Sequence, residues 1–219
     1  MSRRLTAIPA RLSLAGAMLA CACAAAAGTL EVEVRDASGT RVADAAVWAI
    51  PASGGSEARG RTAAIEQVDR EFIPFVTVVQ AGTSVAFPNR DPILHHVYSF
   101  SPAKPFEIKL YTGKSPQEVL FDKPGIVVLG CNIHDWMLAY VAVVPTPYFA
   151  KTEAGVPARL RDLPPGSYEV HAWHPQQRRA MPPQPVTVAA GSATATAAFT
   201  FDLQPRKAKF KPPLDRLKY

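Results

Sequence analysis

Cys131, His134 and Met137 place a thiol, an imidazole and a thioether within seven residues, in the run Gly130-Cys131-Asn132-Ile133-His134-Asp135-Trp136-Met137, and a second imidazole, His95, stands 36 residues upstream. One thiolate and two imidazoles in a plane, with a weak axial thioether, are soft enough for Cu(I) and nitrogen-rich enough for Cu(II). Neither oxidation state receives its preferred geometry, so little has to move when an electron passes. The chemistry these residue types point to is one-electron transfer at a single copper ion. Zinc accepts a cysteine and two histidines, but a thioether is a poor fourth ligand for it. A Cys131–His134 nucleophile pair is conceivable, yet no evident Asn or Asp orients it, and His95 and Met137 go unexplained. Four protein donors also close the coordination sphere, whereas substrate chemistry at a metal needs an open position, so an enzyme is not expected.

Taken singly, Cys131 reads as a buried structural residue, His134 as a surface histidine and Met137 as core filler. The start of the chain changes that balance. Arg3, Arg4 and Arg11 precede the apolar run Leu12–Ala20, and Ala25-Ala26-Ala27 offer a small-residue cleavage site before Gly28; this is the pattern of a secretory leader, residues 1–27. The run is too short and too rich in alanine for a membrane span. Lipidation of Cys21 or Cys23 is the rival reading, but the residues before each lack the leucine-led pattern it needs. Cleavage near Ala27 leaves Cys131 as the single cysteine of a periplasmic protein, in a compartment where cysteines are oxidised in pairs. Metal ligation is an effective protection for such a thiol.

The charge follows the same division. Of 24 basic residues against 18 acidic ones, three arginines belong to the leader, which leaves +3 for the exported chain. Residues 204–219 carry six basic side chains against Asp215, so the body stands near −2. A nucleic-acid footprint needs a basic body with interleaved aromatics, so no nucleic-acid partner is expected. The tail lacks an apolar face at helical spacing and is expected to be disordered; acidic redox partners or anionic lipid could be attracted to it, and salt should weaken that attraction.

The elements that must position the candidate ligands are strands. Short apolar, β-branched runs broken by Gly, Pro, Asp and Asn predict an all-β chain of two small domains. The expected strands are Thr29–Arg35, Ala45–Ile50, Phe75–Val79, Ser84–Pro88, His96–Phe100, Phe106–Tyr111, Gln117–Phe121, Gly125–Leu129, Leu138–Val144, Ser167–Trp173, Gln184–Val188 and Thr194–Leu203. Gly125–Leu129 and Leu138–Val144 are apolar enough to be central strands of a sandwich. The segment between them is then the joining loop: Cys131 leaves one strand, His134 sits in the turn, Met137 begins the next strand, and His95 comes from the end of another.

With those residues in view, Phe87-Pro88-Asn89-Arg90-Asp91-Pro92-Ile93-Leu94-His95-His96-Val97 resembles the first-histidine segment of cupredoxins. The two-residue gaps on either side of His134 resemble the short ligand loop of amicyanin. The similarity covers about Ala64 to Val144. It implies a Greek-key β-sandwich with one type 1 copper held by His95, Cys131, His134 and Met137, and an electron port at the exposed edge of His134. His96 stands where the family usually has an asparagine that ties the two ligand loops together, which leaves open whether it takes over that hydrogen bond or competes for the metal.

Leu30–Gly39 followed by Ala43-Asp44-Ala45-Ala46-Val47 resembles the opening of carboxypeptidase regulatory-like, transthyretin-type sandwiches, whose continuation comes only at Thr152–Gly155 and Leu163–Val170. The expected organisation is a regulatory-like sandwich of residues 28–55 plus 148–203, with a cupredoxin domain of residues 64–147 inserted in or adjoining it; loop tips tolerate such insertions. The simpler alternative packs the N-terminal strands onto the cupredoxin. The whole is similar to exported bacterial proteins labelled methylamine utilisation proteins. His171 and His174 read as a structural strand end, or else as an auxiliary metal site or a domain contact; Trp136 is expected to pack beside the copper site. The function these readings imply is periplasmic electron transfer between redox partners. Copper delivery by the same residues, and a β-sandwich interaction module with incidental copper, are the alternatives.

Overall fold

The computed structural model describes residues 27–56, 60–191 and 194–205. The expected leader, apart from Ala27, and the tail, apart from Gln204 and Pro205, lie outside the described residues. Every regular element among those residues is a strand.

Two apolar cores organise the strands. The first lies between a three-stranded sheet of β3 (Thr62–Ala64), β7 (Thr83–Ala86) and β10 (Val119–Phe121), ordered β10-β7-β3, and a five-stranded sheet. The larger sheet is ordered β6-β12-β11-β8-β9, with β6 at Val76–Gln80, β8 at His95–Ser99, β9 at Phe106–Tyr111, β11 at Gly125–Gly130 and β12 at Leu138–Val144. Inward side chains at every second position (Val127 and Leu129; Ala139, Val141 and Val143) meet Val85 and Phe121 from the smaller sheet, which is the period-2 pattern of strands with one face in a core. Fully burying a Phe or Leu contributes about 1.5–3 kcal/mol, and Phe87, Phe121 and Leu129 are at 0% exposure.

The second core is built from both ends of the chain. In one sheet β1 (Gly28–Asp36) lies between β14 (Ala158–Leu163) and β17 (Thr194–Phe201), parallel to the latter; the other is ordered β13-β2-β15-β16, with β2 at Ala46–Pro51, β13 at Phe149–Lys151, β15 at Gly166–Trp173 and β16 at Gln184–Val188. Leu30, Val32 and Val34 of β1 alternate into this core with Phe199 and Phe201 of β17. Tyr140 on the outer face of β12 meets Trp173 of β15 at 5.6 Å and Phe75 at 5.4 Å between ring centroids, which joins the two halves.

Two further short strands lie beside the site. β4 (Glu66–Val68) and β5 (Glu71–Ile73) form a hairpin absent from the sequence expectation. Its turn residues Asp69 and Arg70 both have positive φ, 53° and 59°. A two-residue hairpin with both central residues left-handed matches the right-handed strand twist, but it is normally marked by Asn-Gly or Asp-Gly, so this sequence carried no such signal.

Candidate metal centre

Strand pairing brings the candidate ligands together. β11 and β12 pair antiparallel up to Gly130↔Leu138, so Cys131–Met137 close a loop at one end of the sheet. β8 meets β11 at Gly130↔Tyr98, and its first residue is His95. His134 O accepts the N–H of Met137 at 2.9 Å, the turn that folds the imidazole back toward Cys131.

The resulting geometry is compact. His95 Nδ1 lies 3.0 Å from His134 Nδ1, which lies 3.7 Å from Cys131 Sγ. One ligand atom from each of the three residues falls within 4.8 Å of the others, and among the described residues this is the group of three or more His, Cys or carboxylate side chains placed to hold an ion. Nitrogen and sulfur donors bound about 2.0–2.3 Å from one ion stand roughly 3.3–4 Å apart, so the pocket fits a single metal with small side-chain adjustments. His95 and His134 are at 0% exposure, Cys131 at 3% and Met137 at 2%. Met137 packs in the same core as Cys131 and lines the same groove.

Asp91 sets the orientation of His95. Its Oδ2 accepts the His95 Nε2–H at 2.7 Å and the Arg70 N–H at 2.8 Å, while Oδ1 accepts the Asp69 N–H at 2.7 Å. With its proton on Nε2, His95 presents the Nδ1 lone pair to the pocket, the arrangement by which an outer carboxylate fixes a metal-binding imidazole. Burial pushes the Asp91 carboxyl up, but the hydrogen bond from His95 and the two backbone N–H groups hold it below its ordinary value. The two backbone hydrogen bonds from Asp69 and Arg70 also offset the strain of holding these non-glycine residues in the left-handed region, about 1–2 kcal/mol each.

The loop carrying Asp91 is itself braced. Asn89 Nδ2 donates to Ile93 O and Tyr111 O, both at 2.8 Å, and Asn89 Oδ1 accepts the Asp91 N–H at 2.9 Å. The Tyr111 hydroxyl donates to Phe87 O, to which Gln67 Nε2 also donates at 3.0 Å. Burial, opposed by the Gln67 hydrogen bond, pushes the Tyr111 phenol up to about 12, so it stays a neutral donor.

Two expectations about the ligands' neighbours change. His134 was expected to present an exposed edge, but Trp136 covers it, 5.2 Å between ring centroids. Trp136 is held by its Nε1–H to Arg70 O at 3.1 Å and lies beneath the Arg70 guanidinium, 5.8 Å from the ring centroid. The hairpin tip thus grips both ligand loops, Asp91 by its N–H groups and Trp136 by its carbonyl. His96 points to the opposite side of β8 from His95, as strand alternation requires, and its Nε2 meets Glu107 Oε1 at 2.9 Å; it stands outside the His95–Cys131–His134 group. In the other half of the molecule His171 stacks on Trp48 at 5.2 Å with an interplanar angle of 2°, and His174 is buried and accepts the Gln176 N–H, so both serve packing.

Burial first, then the charges of His95 and Arg70, push the His134 imidazole down from 6.5 to about 4, against the opposing pull of Asp91. The unfolded chain therefore binds one more proton than the folded chain between about pH 6.5 and about pH 4. Stability of the metal-free protein is expected to be full above this window and to fall as the pH is lowered through it. Chemical denaturation at pH 7.5, 5.5 and 4.5 checks this; a midpoint that does not fall with pH, or a His134 that titrates near 6.5 by NMR, contradicts it.

No family model matches the chain, and no curated protein matches it. Among solved structures it is similar to a copper-containing nitrite reductase from Thermus scotoductus SA-01 (24% identity over 43% of this chain, TM-score 0.37), to a purple cupredoxin from Nitrosopumilus maritimus (21% over 37%, TM-score 0.34) and to amicyanin from Paracoccus versutus (12% over 44%, TM-score 0.33). The match spans 25% of the nitrite reductase, 99% of the purple cupredoxin and 97% of the amicyanin.

Proposed function

We propose that this chain is an exported, cupredoxin-type carrier of single electrons, using one copper ion held by His95, Cys131, His134 and Met137. The observation that carries the reading is the convergence of a thiol and two imidazoles in a buried pocket, with their donor atoms within 4.8 Å of one another. When bound there, copper supplies a one-electron Cu(I)/Cu(II) couple. The protein's part is to hold the donors rigid. Cys131 leaves a central strand of the sheet, Asp91 keeps the Nδ1 lone pair of His95 turned inward, and Trp136 excludes water from His134.

Burial favours this role over copper delivery. An electron can cross a covered ligand, whereas releasing the ion to another protein requires the cover to open, and all four side chains are at 3% exposure or less. Four protein donors would also close the coordination sphere of the ion, whereas substrate chemistry at a metal needs an open position, which favours a carrier over an enzyme. Periplasmic location rests on the leader-like residues 1–27, and the partners are proposed to be periplasmic redox proteins.

The test is the visible and EPR spectrum after Cu(II) loading. An intense thiolate-to-copper band with narrow copper hyperfine splitting is expected; a colourless protein with only nitrogen and oxygen copper signals overturns the reading. Met137→Leu keeps the core volume within the range cores tolerate and removes only the weak axial donor. That variant is expected to stay coloured with a shifted reduction potential, measured by redox titration; an unchanged potential would take Met137 out of the ligand set.

A further inference from the structure

The covered edge of His134 raises the question of where an electron enters. On the other side of the site, β8 turns His95, Val97 and Ser99 to one face and His96 and Tyr98 to the other, and Phe100 follows directly after its last residue. Tyr98 lies against Gly130, the residue immediately before Cys131: a Cβ at Gly130 would sit 2.8 Å from Tyr98 Cζ and 2.9 Å from its Oη. Glycine is what lets an aromatic ring rest on the backbone one residue from the thiol. The ring continues outward to Phe100, 5.1 Å between centroids, and Phe100 is 86% exposed, beside Val128 at 40%. A groove beside Tyr98 and Phe100 reaches Cys131 and Met137 themselves.

We propose, on the copper-carrier reading above, that a redox partner docks on this outer face of β8 and β11, around Tyr98, Phe100 and Val128, and that Tyr98 with the Gly130–Cys131 backbone is the route to the site. One electron leaves the reduced partner and converts bound Cu(II) to Cu(I), with no proton and no leaving group. The partner is a one-electron redox protein with an apolar contact ringed by positive charge. The charged residues lining the two grooves that flank Tyr98 are Asp135 on one side and Glu107, with its partner His96, on the other; neither groove has a Lys or Arg in its lining. An exposed aromatic between carboxylates is complementary to such a rim, which speeds encounter more than it adds affinity.

Two probes test this with the full chain. Tris(phenanthroline)chromium(III), a cationic, apolar and paramagnetic complex, is added to the metal-free protein, and backbone amide broadening is mapped by NMR. Broadening centred on Tyr98, Phe100 and Val128 is expected, and broadening centred at Trp136 or elsewhere overturns the proposal. Because this readout needs no copper, it separates the docking face from the copper reading. The cobalt(III) analogue then serves as oxidant of the Cu(I) protein in stopped flow. Phe100→Ser, a change at an exposed position, and Glu107→Gln should each slow the reaction, together by roughly fivefold or more at low salt, with the visible band and potential unchanged. Tyr98→Leu should slow it as well. Rates that survive all three variants, or that respond only to Trp136→Ala, overturn the route through Tyr98. A parent protein without the visible band removes the carrier reading, and the route with it.

Discussion

Cys131→Ser is expected to remove the visible charge-transfer band altogether, leaving a Cu(II) protein with weak absorption and wide hyperfine splitting. The band arises from the thiolate, and no other cysteine lies among the described residues. A serine hydroxyl is a hard, weakly acidic donor; it cannot supply the short, covalent in-plane bond that a thiolate gives a soft ion. Structure should survive the change. Cys131 is 3% exposed and behaves as a small apolar residue in the first core, so burying a hydroxyl there costs about 1–3 kcal/mol, within the usual 5–15 kcal/mol of a domain. The fold is followed by circular dichroism and thermal unfolding. A folded variant that keeps the band would show that Cys131 is not a ligand, and a parent that binds zinc but not copper would bring a structural metal site forward.

The Asp91→Ala variant is expected to lose copper affinity by roughly 10–100-fold, the cost typical of removing an outer-shell partner of a metal-binding imidazole. Three donors lose their acceptor: His95 Nε2–H and the N–H groups of Arg70 and Asp69. Asp69 is exposed and finds water, but His95 and Arg70 are buried, and each buried donor left unmade costs about 1–3 kcal/mol. A loss of about 2–6 kcal/mol of metal-free stability is therefore expected as well. Asp91→Asn separates positioning from bulk: its amide oxygen can still accept one of these hydrogen bonds, so it should recover part of both losses while the reduction potential rises, because a neutral partner makes His95 a weaker donor to Cu(II). Equal behaviour of Ala and Asn in affinity, stability and potential would reduce Asp91 to a spacer.

The all-β class, the central position of the β11 and β12 strands and the loop between them were legible because apolar period-2 runs are bounded by turn residues; the expected strand ends coincide with the observed ones at Phe106–Tyr111, Leu138–Val144 and Gln184–Val188. The strands that were missed, Thr62–Ala64, Glu66–Val68, Glu71–Ile73, Phe149–Lys151 and Ala158–Leu163, are short or carry charges at alternate positions. Glu66-Gln67-Val68-Asp69-Arg70-Glu71-Phe72-Ile73 has only Val68, Phe72 and Ile73 as strong apolar signals, and its turn lacks glycine. Asp91 lay in plain view inside the segment quoted for His95, but nothing local says that its carboxylate faces His95 rather than solvent.

By itself the sequence determined the chemistry: which donor atoms exist, their order, the spacing that lets Cys131 and His134 share one loop, and the strands that bracket them. Those are local properties, decided by residue type and by the period of a chain against its nearest neighbours. Tertiary structure alone decided what surrounds them. It brought a hairpin tip to Asp91 and Trp136, closed the edge of His134, turned His96 away to Glu107 and laid Tyr98 on Gly130. Trp136 reaches His134 from two positions away, but the contact that holds Trp136 there, from Arg70, and each of the others joins residues more than ten positions apart. Burial, which sets the acid response of His134, is a property of the packed whole that no single segment carries.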